Sequence, residues 1–400
     1  MKISFSNKKN KYQKLSYKST AYEQMYYSQP PLWSSDNYSG IACNGYMKNT
    51  IVYRSINMIA TAISSIPIIL YEFDYNQNKR EISEHDILNL LSNPNPYTSY
   101  CNLMESIVSH LLLDGNAYLM RIGKPQIKEI YILRPDKISY TFNKAYNIPD
   151  KYIYNDNGKD IFFPIDPITG KSDILHFKTF NPYNQFKGCS AVIPAIYSID
   201  QHNQANIWNQ SMLRNSAKPC GALIVKGDKE GNFSSLSEDQ YRRLKEQINS
   251  EYISSQNSGK PILLEGGLEW REMGLSHKDM DFLECKHSAA RDISISLGVP
   301  PHLLGIPGDN TYNNVSEARM IFWEQTVIPL AHKIMDRLNQ WLLPFFPGKL
   351  KIEYDKEQIA SLTIKREKVW QYVEKASFMT INEKRQEFGL PPIKDGDRLP

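Results

Sequence analysis

The side chains best suited to covalent chemistry are a thiol and two imidazoles. Cys189 lies in Gly188-Cys189-Ser190, with His176 before it and His202 after it in the chain. A thiol hydrolase would need one of those imidazoles as a base beside the sulfur. The spacing places no base at catalytic distance, so a structural thiol is the stronger expectation. The triplet also lacks the second glycine of a GxSxG elbow. The chain contains no GxGxxG, no Walker loop and no HExxH. Eight histidines show no metal-like spacing, and His277 and His287, on one expected helix, read as packing or solvated residues. Asp279 and Asp281 fall on different faces of that helix and read as solvated surface. No catalytic residue, metal or cofactor is expected.

Two long helices frame the most distinctive stretch, Leu297 to Ala318. Apolar periodicity predicts a helix from about Lys278 to Leu297 and another from about Val315 to Leu343. Gly298 is placed to end the first, and Pro300 and Pro301 stop it from resuming. Asn314 with Glu317 reads as a capping box for the second, and Pro329 should kink it. Between them Gly305, Pro307 and Gly308 lead into the polar run Asp309 to Asn314, which has no lysine or arginine.

The totals narrow the class. With 400 residues, 41% apolar and 22% charged, the chain reads as a folded protein of two or three domains. A formal net charge of +4 is small for this length, and the lysines are not striped as in a protein built to grip nucleic acid. Five scattered cysteines (43, 101, 189, 220 and 285), none in a CxxC pair, fit a reduced cytoplasmic setting. The first residues lack the apolar core of a secretory signal, and Met58 to Leu70 is too short to span a bilayer.

The order of elements is α+β. Residues 1–45, with six lysines before the first acid, Glu23, read as a solvated arm; the alternative is an arm lying on a partner subunit or on nucleic acid. Thr50 to Ile66 is an amphipathic helix, ended by Pro67. Helices at His85–Leu91 and Ser99–Leu113 alternate with strands at 68–73, 117–122, 129–133, 137–142, 151–154 and 174–178. Asp156-Asn157-Gly158 is a hairpin signal. Ser190 to Ser216 is a helix crowded with Asn and Gln and nearly free of charge. A compact unit follows: strands at 222–225, 261–264 and 268–273 around a helix from Ser237 to about Ile253. A strand at 350–354 and helices at 363–376 and 380–388 close the chain, the last with Thr380 and Glu383 as a capping box.

Nine segments then carry a resemblance: ILNLLSNPNPYTS (87–99), LLLDGNAYLMRIG (111–123), EIYILRPDKI (129–138), DILHFKTFNPYNQFKGCSAV (173–192), NQSMLRNSAKPCGALIV (209–225), KPILLEGGLEWREMGLSHKDMDFLE (260–284), LGVPPHLLG (297–305), TYNNVSEARMIFWEQTVIPL (311–330) and TINEKRQEFGLPP (380–392). In this order they resemble the portal protein family of tailed double-stranded-DNA bacteriophages, in its long-tailed, lambdoid branch. The resemblance implies a non-enzymatic ring, dodecameric in the virion, at one capsid vertex. Double-stranded DNA would pass it in packaging and ejection without sequence-specific contact. Implied partners are further copies of the chain, the terminase large subunit, a head–tail adaptor, and the major capsid and scaffold proteins. No membrane partner is implied. Assembly would take place in the host cytoplasm.

The same resemblance implies a portal fold divided into an N-terminal arm (1–45), wing (46–185), stem helix (186–217), α/β clip (218–275) and second stem helix (276–304). A tunnel loop (305–314), long wing helix (315–346), wing return strand (347–359) and helical crown (360–400) follow. Its channel contact would be Gly308, Asp309, Asn310, Thr311, Tyr312 and Asn313; Lys286 and Arg291 could line the stem, or pair between subunits. The clip would dock partners through Tyr241, Arg242, Lys245, Glu265, Gly266 and Gly267. A prophage remnant or a gene-transfer particle would use the same fold. A conduit must touch a polyanion without holding it, and each neutralised phosphate adds salt-dependent affinity. The loop without lysine or arginine and the nearly uncharged helix 190–216 suit that need, although subunit packing is the stronger reading of the helix.

Overall fold

The structure is a computed structural model. It describes residues 37–74, 79–123, 126–143, 147–214, 221–225, 239, 242–243, 246, 268–272, 282–307, 312–355, 358–359, 367, 370–387 and 393–397. A short helix α1 (Tyr38–Gly40) runs into a π-helical turn, Ile41–Tyr46. These residues were counted with the arm by sequence, yet Ile41 is buried in the main core. Helix α2 (Thr50–Ser64) follows, capped by Asn49, and its apolar face is Val52, Ile56, Ile59 and Ile63. That face packs on α4 (Tyr100–Asp114), which buries Leu103, Ile107 and Leu111 and ends at Gly115 in the left-handed conformation.

The described strands form four antiparallel sheets. The first has the order β11-β1-β2, from Leu350–Tyr354, Ile68–Phe73 and Lys79–Ile82. Strand β2 was not expected: its sequence KREI is largely exposed and has no apolar alternation. The edge strand β11 is held by Asn339, whose Nδ2 donates to Ile352 O at 2.8 Å while its Oδ1 accepts from Ile352 N at 2.7 Å. The second sheet, β4-β3-β8 (Glu129–Leu133, Asn116–Ile122, Ile174–Lys178), lies under α4. The third is the meander β5-β6-β7 (Ile138–Phe142, Pro149–Asp156, Lys159–Pro164). Its expected hairpin turn has Asn157 at φ 52° and Gly158 at φ 90°, both in the left-handed region that such a turn needs. Tyr118, Leu133 and Ile174 join Tyr152, Tyr154 and Phe163 to form a second, smaller core between these two sheets.

After helix α3 (Asp86–Ser92) and these strands come the long elements. Helix α5 (Ile196–Arg214) starts six residues later than expected, because Pro194 sits in a 3-10 turn, Ile193–Ala195. Strands β9 (Gly221–Val225) and β10 (Leu268–Glu272) form a two-stranded sheet. The strand expected at 261–264 lies outside the described residues, and only Asp239, Arg242, Arg243 and Glu246 of the helix between are described. Helix α6 (Phe282–Ser296) packs on α5. One long helical path then runs through α7 (Tyr312–Ile321), a π turn (Phe322–Val327) and α8 (Ile328–Leu342). Pro329 lies in the first turn of α8, so the disturbance expected at this proline takes the form of a widened turn just before it. Residues 370–375 are helical, and α9 (Ile381–Glu387) shows the expected reciprocal capping box between Thr380 and Glu383. Among the described residues no helix is long and apolar enough to cross a membrane.

Candidate functional site

The turn between α6 and α7 is a built platform. Gly298 sits at φ 71° and ends the helix as expected, donating to Ile295 O. A Cβ there would stand 2.8 Å from Thr326 Oγ1, and that hydroxyl donates to Gly298 O at 2.5 Å. Val299 is buried, and its N–H reaches Ser294 O at 2.9 Å. Pro301–Leu304 makes one 3-10 turn, closed by Gly305 at φ 71°. Ile306 then drops back into the protein, only 4% exposed, with its N–H on Pro301 O. Pro307 is held from above: Arg291 Nη2 donates to its carbonyl at 2.7 Å.

Gly308 to Thr311 of the expected channel loop lie outside the described residues. Tyr312 and Asn313 open α7, so the helix begins three residues before the expected Val315. The polar loop is shortened from its C-terminal end, and Asn314 lies in the first turn of the helix and is not its N-cap.

The neutral helix α5 is tied to its neighbours by amides. Asn49 is 1% exposed; its Oδ1 accepts from Ile51 N and Val52 N, at 3.0 and 3.2 Å. Its Nδ2 then has to donate, and it meets His202 Nδ1 at 3.2 Å and Asn203 Oδ1 at 3.0 Å. Asn203 passes the chain on, donating from Nδ2 to Asn44 O at 2.9 Å. These contacts fix His202 as a neutral imidazole with its proton on Nε2. Burial, and after it the charge of Lys286 on α6, lowers its pKa below the ordinary value. Toward α6, Ser198 donates to Asp292 and Gln201 meets Cys285. The residues left outward on α5 include Gln204, Asn206, Ile207 and Gln210, none of them charged.

The two candidate stem cations are thus placed differently. Lys286 is half-buried beside His202, and Arg291 is committed to Pro307. Of the expected clip residues, Arg242 is helical, exposed and paired with Asp239 at 2.9 Å. Tyr241, Lys245, Glu265, Gly266 and Gly267 lie outside the described residues.

Cys189 is half-buried at a tight crossing of two backbone segments. Gly188 crosses Gly115 so closely that a Cβ on it would lie 1.9 Å from Gly115 O. Thr179 locks the crossing, accepting from Cys189 N at 3.0 Å and lying 2.6 Å from Cys189 O. Burial raises the Cys189 thiol pKa, the opposite of what a nucleophile needs. His176 Nε2 is engaged with Asn116 Oδ1 at 2.9 Å, and its ring stacks on Tyr118. His202 Nδ1 is engaged with Asn49, and the Cys189 sulfur is directed to Ser190 O at 3.8 Å, not to an imidazole. Among the described residues no cluster of three or more His, Cys, Asp or Glu side chains could hold a metal ion.

The comparisons with known proteins point the same way as this frame. The family model described as phage portal protein matches residues 50–389. A protein of Rickettsia bellii (strain RML369-C) is 42% identical over 359 residues, covering 90% of this chain and 91% of the relative. The portal protein of Enterobacteria phage HK97 is 22% identical over 357 residues, covering 86% and 80%. Among solved structures, the necks of an empty and of a native gene transfer agent (GTA) particle, computed with C6 and C12 symmetry, are 34% and 33% identical to this chain. Their TM-scores are 0.70 and 0.68, and each match covers 91% of this chain and 96% of the other.

Proposed function

The chain belongs to the phage portal protein family, and from that premise we propose that copies of it form a ring through which double-stranded DNA passes. The observation that carries this reading is the match over residues 50–389, joined to necks of 34% and 33% identity computed with C6 and C12 symmetry. Twelve copies at one vertex of a virion is the assembly this supports. In it, the sheets and helices around α2 and α4 form the wing (46–185). The pair α5 and α6 lies in the stem (186–217 and 276–304), and β9-β10 belongs to the clip (218–275). The segment 305–314 is the tunnel loop, 315–346 the long wing helix, 347–359 the return strand, and 360–400 the crown.

The chemistry of the stem suits a passive conduit. The outward side chains described on α5 are neutral, Lys286 is half-buried, and Arg291 is engaged with backbone. Among the described residues of the stem few cations are left to bind phosphate, so DNA would slide with little salt-dependent holding. The force for packaging would come from a terminase docked on the clip, near Arg242, and a head–tail adaptor would replace it afterwards. Major capsid and scaffold proteins would surround the ring. Negative-stain electron microscopy of the purified chain tests the proposal. Rings with a central hole wide enough for duplex DNA are expected; a compact monomer at every concentration, with capsid partners present, would refute it.

A gene transfer particle is a second setting for the same ring, favoured by the 34% identity to the GTA neck. Sequencing the DNA inside particles separates the two. Scattered host fragments point to gene transfer, and one repeated phage genome points to a virus.

A further inference from the structure

Resting on the tunnel-loop reading, we propose that Arg291 is a positioning residue for that loop and makes no phosphate contact. Pro307 is the last described residue on the N-terminal side of the loop 305–314, so its two backbone dihedrals set the direction in which the chain leaves the platform. Its ring fixes φ near −65°. Its ψ is fixed by whatever holds its carbonyl, and that is the Arg291 guanidinium at 2.7 Å. A charged donor makes a stronger hydrogen bond to a carbonyl than a neutral one.

Both ends of this latch are anchored independently. On the arginine side, α6 is seated by the fully buried Ile293 and Ser294. Ser294 Oγ donates to Arg291 O at 2.8 Å, and Ser296 Oγ donates to Ala191 O at 2.6 Å. Asp292, next in sequence, accepts from Ser198 on α5. On the proline side, Ile306 is buried and its N–H is taken by Pro301 O. Gly305 between them has a left-handed φ of 71° and open space where a Cβ would stand, so backbone geometry alone makes it glycine. The chain is therefore pinned one residue before the exit by apolar burial and at the exit by Arg291.

The test is amide hydrogen exchange of the full-length protein, read over Leu303 to Ile306, together with the salt dependence of its binding to a short DNA duplex. Arg291→Ala should speed exchange there on the order of tenfold. Arg291→Lys, which keeps a cation and a donor, should fall between Ala and wild type. Lys286→Ala should leave this segment unchanged. The slope of log affinity against log salt should be the same in wild type and Arg291→Ala. Unchanged exchange in Arg291→Ala overturns the proposal, and so does a slope lower by about one, the signature of a lost phosphate contact. If Arg291→Ala does not fold, the Lys variant decides by the same two readings. Exchange needs no ring, so a failure of ring assembly is seen separately by microscopy.

Discussion

Asn49 and His202 lie 153 residues apart in sequence, and the Asn49 amide nitrogen sits 3.2 Å from the His202 Nδ1. One asparagine thereby caps the first long helix of the core and fixes the amide-rich helix α5 to it. Asn49→Ala removes the cap, worth about 1 kcal/mol, and leaves buried partners unsatisfied at about 1–3 kcal/mol. A loss of roughly 2–4 kcal/mol in urea unfolding is expected. Asn49→Asp keeps the cap but sets an acceptor against Nδ1 and Asn203 Oδ1. It should be weakest near about pH 8 and recover in part near about pH 6, as His202 gains a proton to donate. Equal losses at both values would contradict the assigned tautomer.

Three histidines, His176 and His202 buried and His110 half-buried, make the fold acid-sensitive. Burial pushes the His176 pKa down to about 3 and the His110 pKa down to about 4, from 6.5, and His202 moves in the same direction. Lys178 and Arg337 add to the burial effect at His176. Each ring is favoured neutral in the fold, so its full contribution is present above pH 6.5. As pH falls from there toward 4 and 3, the unfolded chain takes up protons that the folded chain refuses, and stability drops. The expected loss is on the order of a few kcal/mol for each of His176 and His110. His176→Gln keeps a donor for Asn116 Oδ1 and removes the titration. Its unfolding free energy should fall less steeply between about pH 6.5 and about pH 4.

Gly188→Ala should be among the most damaging single-methyl changes in the chain. Its Cβ would meet backbone, not a yielding side chain, at 1.9 Å, so the crossing of the two segments has to open. Gly115→Ala faces the same crossing, with Cys189 backbone at 2.4 Å and φ at 80°. Each should cost more than about 3 kcal/mol. Gly170→Ala, with a positive φ but nothing within 4 Å, serves as the control and should cost about 1 kcal/mol. Thermal melts of the three variants rank them; equal shifts would refute the close-approach account.

Replacing Asp309 to Asn314 with lysines should leave rings intact and impair DNA packaging, because each added cation can hold a passing phosphate. Particle counts by microscopy and DNA content per particle are the two measurements. Unchanged packaging would remove the channel assignment from this segment.

The pattern of apolar and turn residues announced most of the frame because it acts locally. The α2 face, the Asn157-Gly158 turn, the Gly298 terminus and the Thr380–Glu383 box all rest on neighbours within a few residues. The helix start after Asn49 was visible for the same reason. Its bonds to His202 and Asn203 were not, since they depend on the three-dimensional return of the chain. Arg291 was legible as a helix cation that could line a channel or pair between subunits, but its carbonyl partner was not, because a backbone acceptor leaves no mark in a sequence. Strand β2 was missed because an exposed strand of charged residues carries no alternation. The early start of α7 was missed because Asn314 is chemically a good cap, and the helix formed around it anyway.

The π turn at Phe322–Val327 adds one residue to a helical cycle, with the Ile328 N–H reaching back five positions to Trp323 O. Each residue of an α-helix advances the path by about 100°. Deleting one residue there would restore an unbroken α-helix and rotate α7 about its axis by that angle relative to α8. Thr326, which grips Gly298, lies inside the same turn. Chain length between Ile321 and Ile328 is thus an angular setting. It works as a vernier, fixing the azimuth of α7 relative to α8.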